Sequence, residues 1–271
     1  MSVPPERVHI APFGPERKRI SQPAEYWRAD RVVLVDYVGV DMFGNLRAEV
    51  CADLEEANIE YELVETDAAV ETDLFSAVQV VSRVIEEHSD DLVYVNLATG
   101  SKRMAIAGMI AAMTSASATP YYVPADDAGS VIANPAEQVK EPQELPRFPM
   151  ERPELQEIAI MEFIHRSDHQ YEQEGGENYQ TKKALYEFGE LAGLQFMRDA
   201  DGLGSEGKYG RLDRHIIDSL STDGYITVEK VGTKRRVRLT ETGANVRKAF
   251  EHLLDEGIVE AIDSSTHTEG R

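Results

Sequence analysis

Leu92–Ala105 reads LVYVNLATGSKRMA, an apolar run that breaks into small and polar residues and resumes as the small-residue pattern Arg103–Ser115. The near-continuous apolar character of LVYV fits a strand buried on both faces. Strand, short loop and helix in that order form the repeating unit of a parallel sheet with helices packed on it. In such a sheet ligands collect beyond the carboxyl ends of the strands, where helix N-termini present backbone N–H groups to anions. Gly100 allows close backbone approach or a positive φ, Thr99 and Ser101 offer hydroxyls and helix caps, and Lys102 offers a charge for phosphate. One glycine and one lysine are a weak fingerprint, so a capped turn carrying a surface lysine fits the same residues.

Working outward, Val8–Phe13 (VHIAPF), Arg31–Val38 (RVVLVDYV), Ile59–Glu65 (IEYELVE) and Pro120–Val123 (PYYV) are further short β-branched or aromatic runs. Helical patterns lie between them, clearest over Leu74–Glu87. The pattern predicts an α/β domain over residues 1–125, with a Rossmann-like, mainly parallel sheet and helices on both faces. The small-residue helix Arg103–Ser115 fits a tight pack on that sheet, or a close contact with a second chain. From Pro124 to Pro153 six prolines interrupt any long helix and no strand pattern persists. Residues 126–153 are therefore read as a Pro-rich linker and 154–271 as a second, smaller α+β domain.

Composition bounds the possibilities. A chain of 271 residues suits two modest domains. No apolar run approaches a membrane span, and the first residues lack a basic start followed by an apolar core, so a cytoplasmic protein is expected. One cysteine, Cys51, and seven histidines without ligand-like spacing predict no metal site, and no cofactor is expected. The net charge of −21 is spread along the chain, with nine lysines against nineteen arginines. Such a surface fits adaptation to a salt-rich cytoplasm, an ordinary acidic protein being the other reading, and speaks to solubility and not to fold.

The segment Asn96–Lys102 resembles the fourth-strand motif of the CRISPR-associated Rossmann-fold (CARF) family, Asn-x-Thr-Gly-Gly-Thr-Lys followed by a small-residue helix. Asn96, Gly100, Ser101 and Lys102 fall on matching positions, while Ala98 and Thr99 stand where the family often has Thr-Gly. The resemblance covers about the first 125 residues. It implies a homodimer that binds a cyclic oligoadenylate or related nucleotide across its two-fold axis, with Asn96, Thr99, Gly100, Ser101 and Lys102 at the ligand. It also implies a second ligand loop after the first strand, through Phe13, Gly14 and Arg17.

The second domain carries the more specific pattern. Helical segments are read at Leu155–Ile164, Lys182–Leu194, Lys208–Asp223 and Ala244–Leu254. Over Lys208–Asp223, Leu212, Ile216, Ile217 and Leu220 form one stripe, while Lys208, Tyr209, Arg211, Arg214 and His215 belong to the exposed, largely basic side that suits a major groove. Asp218 is discordant there. Tyr225–Val228 and Val237–Thr240 alternate like hairpin arms, with Lys234, Arg235 and Arg236 in the connecting loop and Arg238 just beyond it. Gly224-Tyr-Ile before the hairpin and Leu-Thr-x-x-Gly after it are similar to winged helix-turn-helix transcription regulators. Residues 205–248 hold ten Lys/Arg and six Asp/Glu, a net +4 within an acidic chain, which points to phosphate contact.

Together these readings predict a ligand-responsive, DNA-binding transcription regulator. The rivals are a ring nuclease that cleaves its cyclic ligand, for which no general base is identified in the sequence, and an interaction protein using the winged helix for protein contact.

Overall fold

The computed structural model describes residues 4–37, 45–67, 69–124, 139–146, 150–174, 179–198, 200, 202–231 and 234–266. The chain divides into two compact units, Met1–Glu151 and Arg152–Arg271.

In the first unit the elements run β1 (Arg7–Pro12), α1 (Arg17–Tyr26), β2 (Arg31–Tyr37), α2 (Leu46–Glu56), β3 (Glu60–Thr66), α3 (Ala69–Thr72), α4 (Leu74–Glu87), β4 (Leu92–Asn96), α5 (Lys102–Thr114), β5 (Ala118–Tyr122) and β6 (Gln143–Glu144). Their sheet has the order β3-β2-β1-β4-β5-β6, parallel throughout except for β6, which runs antiparallel to β5. The apolar runs seen in the sequence are the centre of this sheet, with Val8, Ile10, Val32, Val33, Leu34, Val93 and Val95 almost wholly buried. The edge strand β3 instead carries Glu60, Glu62 and Glu65, and charge on an edge opposes pairing with another sheet. Strand β6 falls inside the stretch read as a linker, because a two-residue strand is too short to leave a periodic pattern.

The small residues of α5 have a packing reason. A Cβ on Gly108 would come within 2.9 Å of Leu97 Cδ2 and 3.1 Å of Val95 Cγ1. The helix therefore lies close against β4 and its loop, burying Met104, Ala107, Ala111 and Ala112.

The second unit runs α6 (Leu155–Glu174), β7 (Gln180–Thr181), α7 (Lys182–Leu191), α8 (Ser205–Leu212), α9 (Asp218–Thr222), β8 (Ile226–Val231), β9 (Lys234–Leu239), α10 (Glu241–Phe250) and α11 (Glu256–Thr266), with a π-helical turn, Asp213–Ile217, joining α8 to α9. An antiparallel sheet, β7-β9-β8, flanks the helices, and this is a winged helix. Its core includes Phe163 stacked on Phe188 at 4.5 Å, and the stripe Leu212, Ile216, Ile217 and Leu220, all buried. The Leu-Thr-x-x-Gly pattern also has a cause. Thr240 caps α10 by accepting from the Gly243 N–H and donates to the Gly224 carbonyl, while a Cβ on Gly243 would fall 2.0 Å from the Tyr225 oxygen.

The hairpin differs from the sequence reading. Strand β9 begins at Lys234, and Glu229, Lys230 and Val231 pair with Arg236, Arg235 and Lys234. Arg235 and Arg236 thus lie on a strand and not in a loop, because a hairpin closes through a short turn and the arms extend right up to it.

Candidate functional site

In the first sheet the strand order reverses between β1 and β4, the two parallel neighbours at its centre. At such a reversal an open α/β sheet has its ligand crevice, beyond the carboxyl ends of the two strands. The β1 loop, Phe13–Glu16, leads into α1, and the β4 loop, Leu97–Ser101, leads into α5. Two helix N-termini therefore converge on one place. The loops touch through glycine: a Cβ on Gly14 would fall 2.6 Å from the Gly100 nitrogen and one on Gly100 2.6 Å from Pro12 Cβ. Gly100 also has φ +71°, which disfavours any side chain.

Around this contact the side chains divide by role. Asn96 is fully buried and holds the loops in place: its Nδ2 donates to the Arg19 carbonyl (2.8 Å) and its Oδ1 accepts from the Ala98 N–H (2.9 Å). Arg19 closes the ring by donating from Nη1 to the Ala98 carbonyl at 3.3 Å. Ser101 caps α5, accepting from the Met104 N–H. Lys102 is exposed at the first position of that helix.

Two residues expected at the ligand are placed elsewhere. Phe13 is buried in the core cluster with Ile20, Leu34 and Leu54, because its N–H still pairs with the Val35 carbonyl and the strand geometry turns its ring inward. Arg17 is committed to α2, bonding both oxygens of Asp53 (2.6 and 2.8 Å) and Glu49 (2.6 Å). The Arg17 guanidinium holds the Asp53 carboxyl at about 2.

Three polar groups of the crevice lack hydrogen-bond partners: Thr99 Oγ1, Arg19 Nε and Glu16 Oε2. Sequence reasoning assigned no role to Glu16 or Arg19. The available signal for Glu16 was its place immediately before α1, directly after Gly14-Pro15. Beneath the loops, His9, Trp27, Tyr94 and Tyr121 form an aromatic cluster in which the Tyr121 hydroxyl meets His9 Nδ1 at 3.1 Å. Burial keeps His9 neutral, its pKa pushed down to about 3.

In the winged helix, Arg214 and His215 are exposed on the π-helical turn, Arg235 is exposed on β9 and Arg238 is half-buried three residues on. The other basic candidates are tied internally. Lys208 pairs with Glu190 and lies over the Tyr186 ring, on which Tyr209 packs edge-on at 5.2 Å. Arg211 donates to the Phe196 and Arg198 carbonyls. Arg236 stacks over Tyr179 at 4.0 Å. The Lys234 side chain lies outside the described residues. Arg247, counted in the net positive charge, is buried between Glu162 and Glu251 and adds nothing to a positive surface. Helical spacing identified which positions alternate, but the partners on α6, α7 and the turn after it come from distant sequence.

The fold defines a Rossmann-like α/β domain followed by a winged helix. Residues 7–128 match the family model described as "HFX_2341_N:-like, N-terminal", and residues 156–251 match the DUF6293 C-terminal winged helix domain. No curated protein matches the chain. Similar solved structures include Csm6 from Enterococcus italicus bound to cyclic hexa-2′-fluoro-hexa-dAMP, at 13% identity and TM-score 0.43 over 82% of this chain and 56% of that one. Protein VC1899 from Vibrio cholerae is similar at 13% identity and TM-score 0.37, over 93% of this chain and 66% of that one. Can2 from Sulfobacillus thermosulfidooxidans, in complex with cyclic tetra-adenylate, is similar at 12% identity and TM-score 0.34, over 91% and 64%. The chain thus spans between 56% and 66% of the length of these structures. Among the described residues no helix is long and apolar enough to cross a membrane.

Proposed function

We propose that the protein is a homodimeric, ligand-responsive transcription regulator of the cytoplasm, whose first domain binds a cyclic oligoadenylate or related nucleotide and whose winged helix binds DNA. The observation that carries the reading is the crevice at the strand-order reversal, where two glycine loops touch, two helix N-termini converge and Lys102 stands exposed. Backbone N–H groups and a lysine in that arrangement receive phosphate. Lys102, Gly100, Gly14 and the hydroxyls of Thr99 and Ser101 supply the contacts, while Asn96 positions the loop.

In a homodimer a second chain would bring two crevices together across the two-fold axis. Ligand binding at paired crevices then biases the spacing of two winged helices, each meeting DNA through Arg214, His215, Arg235 and Arg238. The distributed acidic charge fits a salt-rich cytoplasm. Mass spectrometry of small molecules released from the purified protein tests the ligand class: a cyclic oligonucleotide is expected, and calorimetry should then give one ligand per two chains. One ligand per chain would overturn the shared crevice, and no binding of cyclic tetra- or hexa-adenylate would overturn the ligand class.

A further inference from the structure

Glu16 is the residue of the crevice that the fold leaves least explained. It occupies the N-cap position of α1, where a short side chain accepts from the first free N–H groups, yet it makes no such bond. Its Oε2 is packed at the junction of the two loops, 2.7 Å from where a Cβ on Gly14 would lie, and it has no hydrogen-bond partner. Burial there pushes its pKa up, against the pull of its own backbone and of Arg19. Thr99, 2% exposed on the facing loop, carries a second hydroxyl without a partner. A buried acceptor left unpaired costs about 1–3 kcal/mol, so a partner that supplies a donor recovers that energy. Lys102 and the start of α5 account for the phosphate of a nucleotide but leave its sugar unread. In dinucleotide-binding Rossmann domains a carboxylate takes the hydrogen bond of the ribose 2′-hydroxyl, which shows the chemistry that Glu16 can supply.

We propose that Glu16 is the specificity-determining acceptor of this crevice, taking a hydrogen bond from a ribose 2′-hydroxyl of the nucleotide whose phosphate faces Lys102. The residue is half-buried, so its carboxylate is not sealed from a ligand. The inference rests on the nucleotide reading above and deepens it, since it predicts discrimination of ribo- from deoxyribo-ligands. The test is calorimetry of the full chain with cyclic tetra- and hexa-adenylate and their 2′-deoxy counterparts. The same titrations are made on Glu16→Ala and Glu16→Gln, with Trp27 fluorescence checking the fold. Wild type should favour the ribo form by about 10- to 100-fold, the range for a hydrogen bond to a charged group. Glu16→Ala should bring both forms to the deoxy affinity, and Glu16→Gln should fall between. A wild-type protein that binds both forms equally, or Glu16→Ala that keeps the preference, overturns the role of Glu16 while the nucleotide reading stands. Failure of wild type to bind any of the four overturns that reading, and this inference with it.

Discussion

Replacing Gly100 by alanine tests the contact on which the crevice is built. The new Cβ would stand 2.6 Å from Pro12 Cβ, whereas ordinary contacts begin near 3.4 Å, so β1 and the β4 loop must separate. Pro12 ends a central strand and cannot yield as a surface side chain would. The positive φ of +71° adds a second cost. The backbone contributes about 1–2 kcal/mol and the overpacking about 1–3 kcal/mol, for about 2–5 kcal/mol in all. At about 2–4 °C per kcal/mol, the transition of this domain should fall by about 4–20 °C. The chain offers a selective probe, because its one tryptophan, Trp27, lies in this domain and packs against Tyr121 at 4.9 Å. Thermal unfolding of the full chain followed by Trp27 fluorescence therefore reports on the crevice domain. Gly14→Ala, which meets the Gly100 backbone at 2.6 Å without the φ cost, should lose less, about 1–3 kcal/mol. Lys102→Ala should lose almost nothing. A Gly100→Ala protein that melts with Lys102→Ala would refute the close contact of the two loops.

Lys102→Ala should weaken cyclic tetra-adenylate binding by about tenfold or more, the loss of one charge-assisted contact, with an unchanged melt; equal affinity by calorimetry would remove Lys102 from the ligand. In acid, Asp53 should contribute a distinct loss of stability. Its carboxyl sits at about 2 in the fold against roughly 3.9 unfolded, so the stabilisation is complete above the unfolded value and disappears as pH falls towards the folded one. Asp53→Asn should flatten that limb by about 1–2 kcal/mol in denaturant titrations, and an unaltered limb would contradict the Arg17 pairing. Arg214→Ala with Arg235→Ala should weaken binding to specific and random DNA together and reduce the salt slope by about two, since phosphate contacts release counterions. An unchanged slope would take both residues off the DNA.

The order of strands and helices, the sheet class and the winged helix were legible in the sequence, because each rests on local periodicity and on turn residues with a steric cause. Gly243 is such a residue, required where α10 begins against the Tyr225 carbonyl. The junction of β4 with α5 was legible for the same reason, as strand LVYVN must pass through Gly100 to reach α5. The roles of individual side chains were not. Arg17 and Lys102 look alike as basic residues at helix starts, yet one is held by Asp53, thirty-six residues away, and the other is exposed. Arg211 and Arg214 share a helix face by spacing, yet only Arg214 is exposed, since Arg211 finds the carbonyls of Phe196 and Arg198. Glu16 acquired its interest only when Gly14 and Gly100 came together. Local sequence sets which elements form, because backbone sterics and burial pattern act over a few residues. Which charge is left unpaired depends on partners that only the packing of distant segments brings within reach.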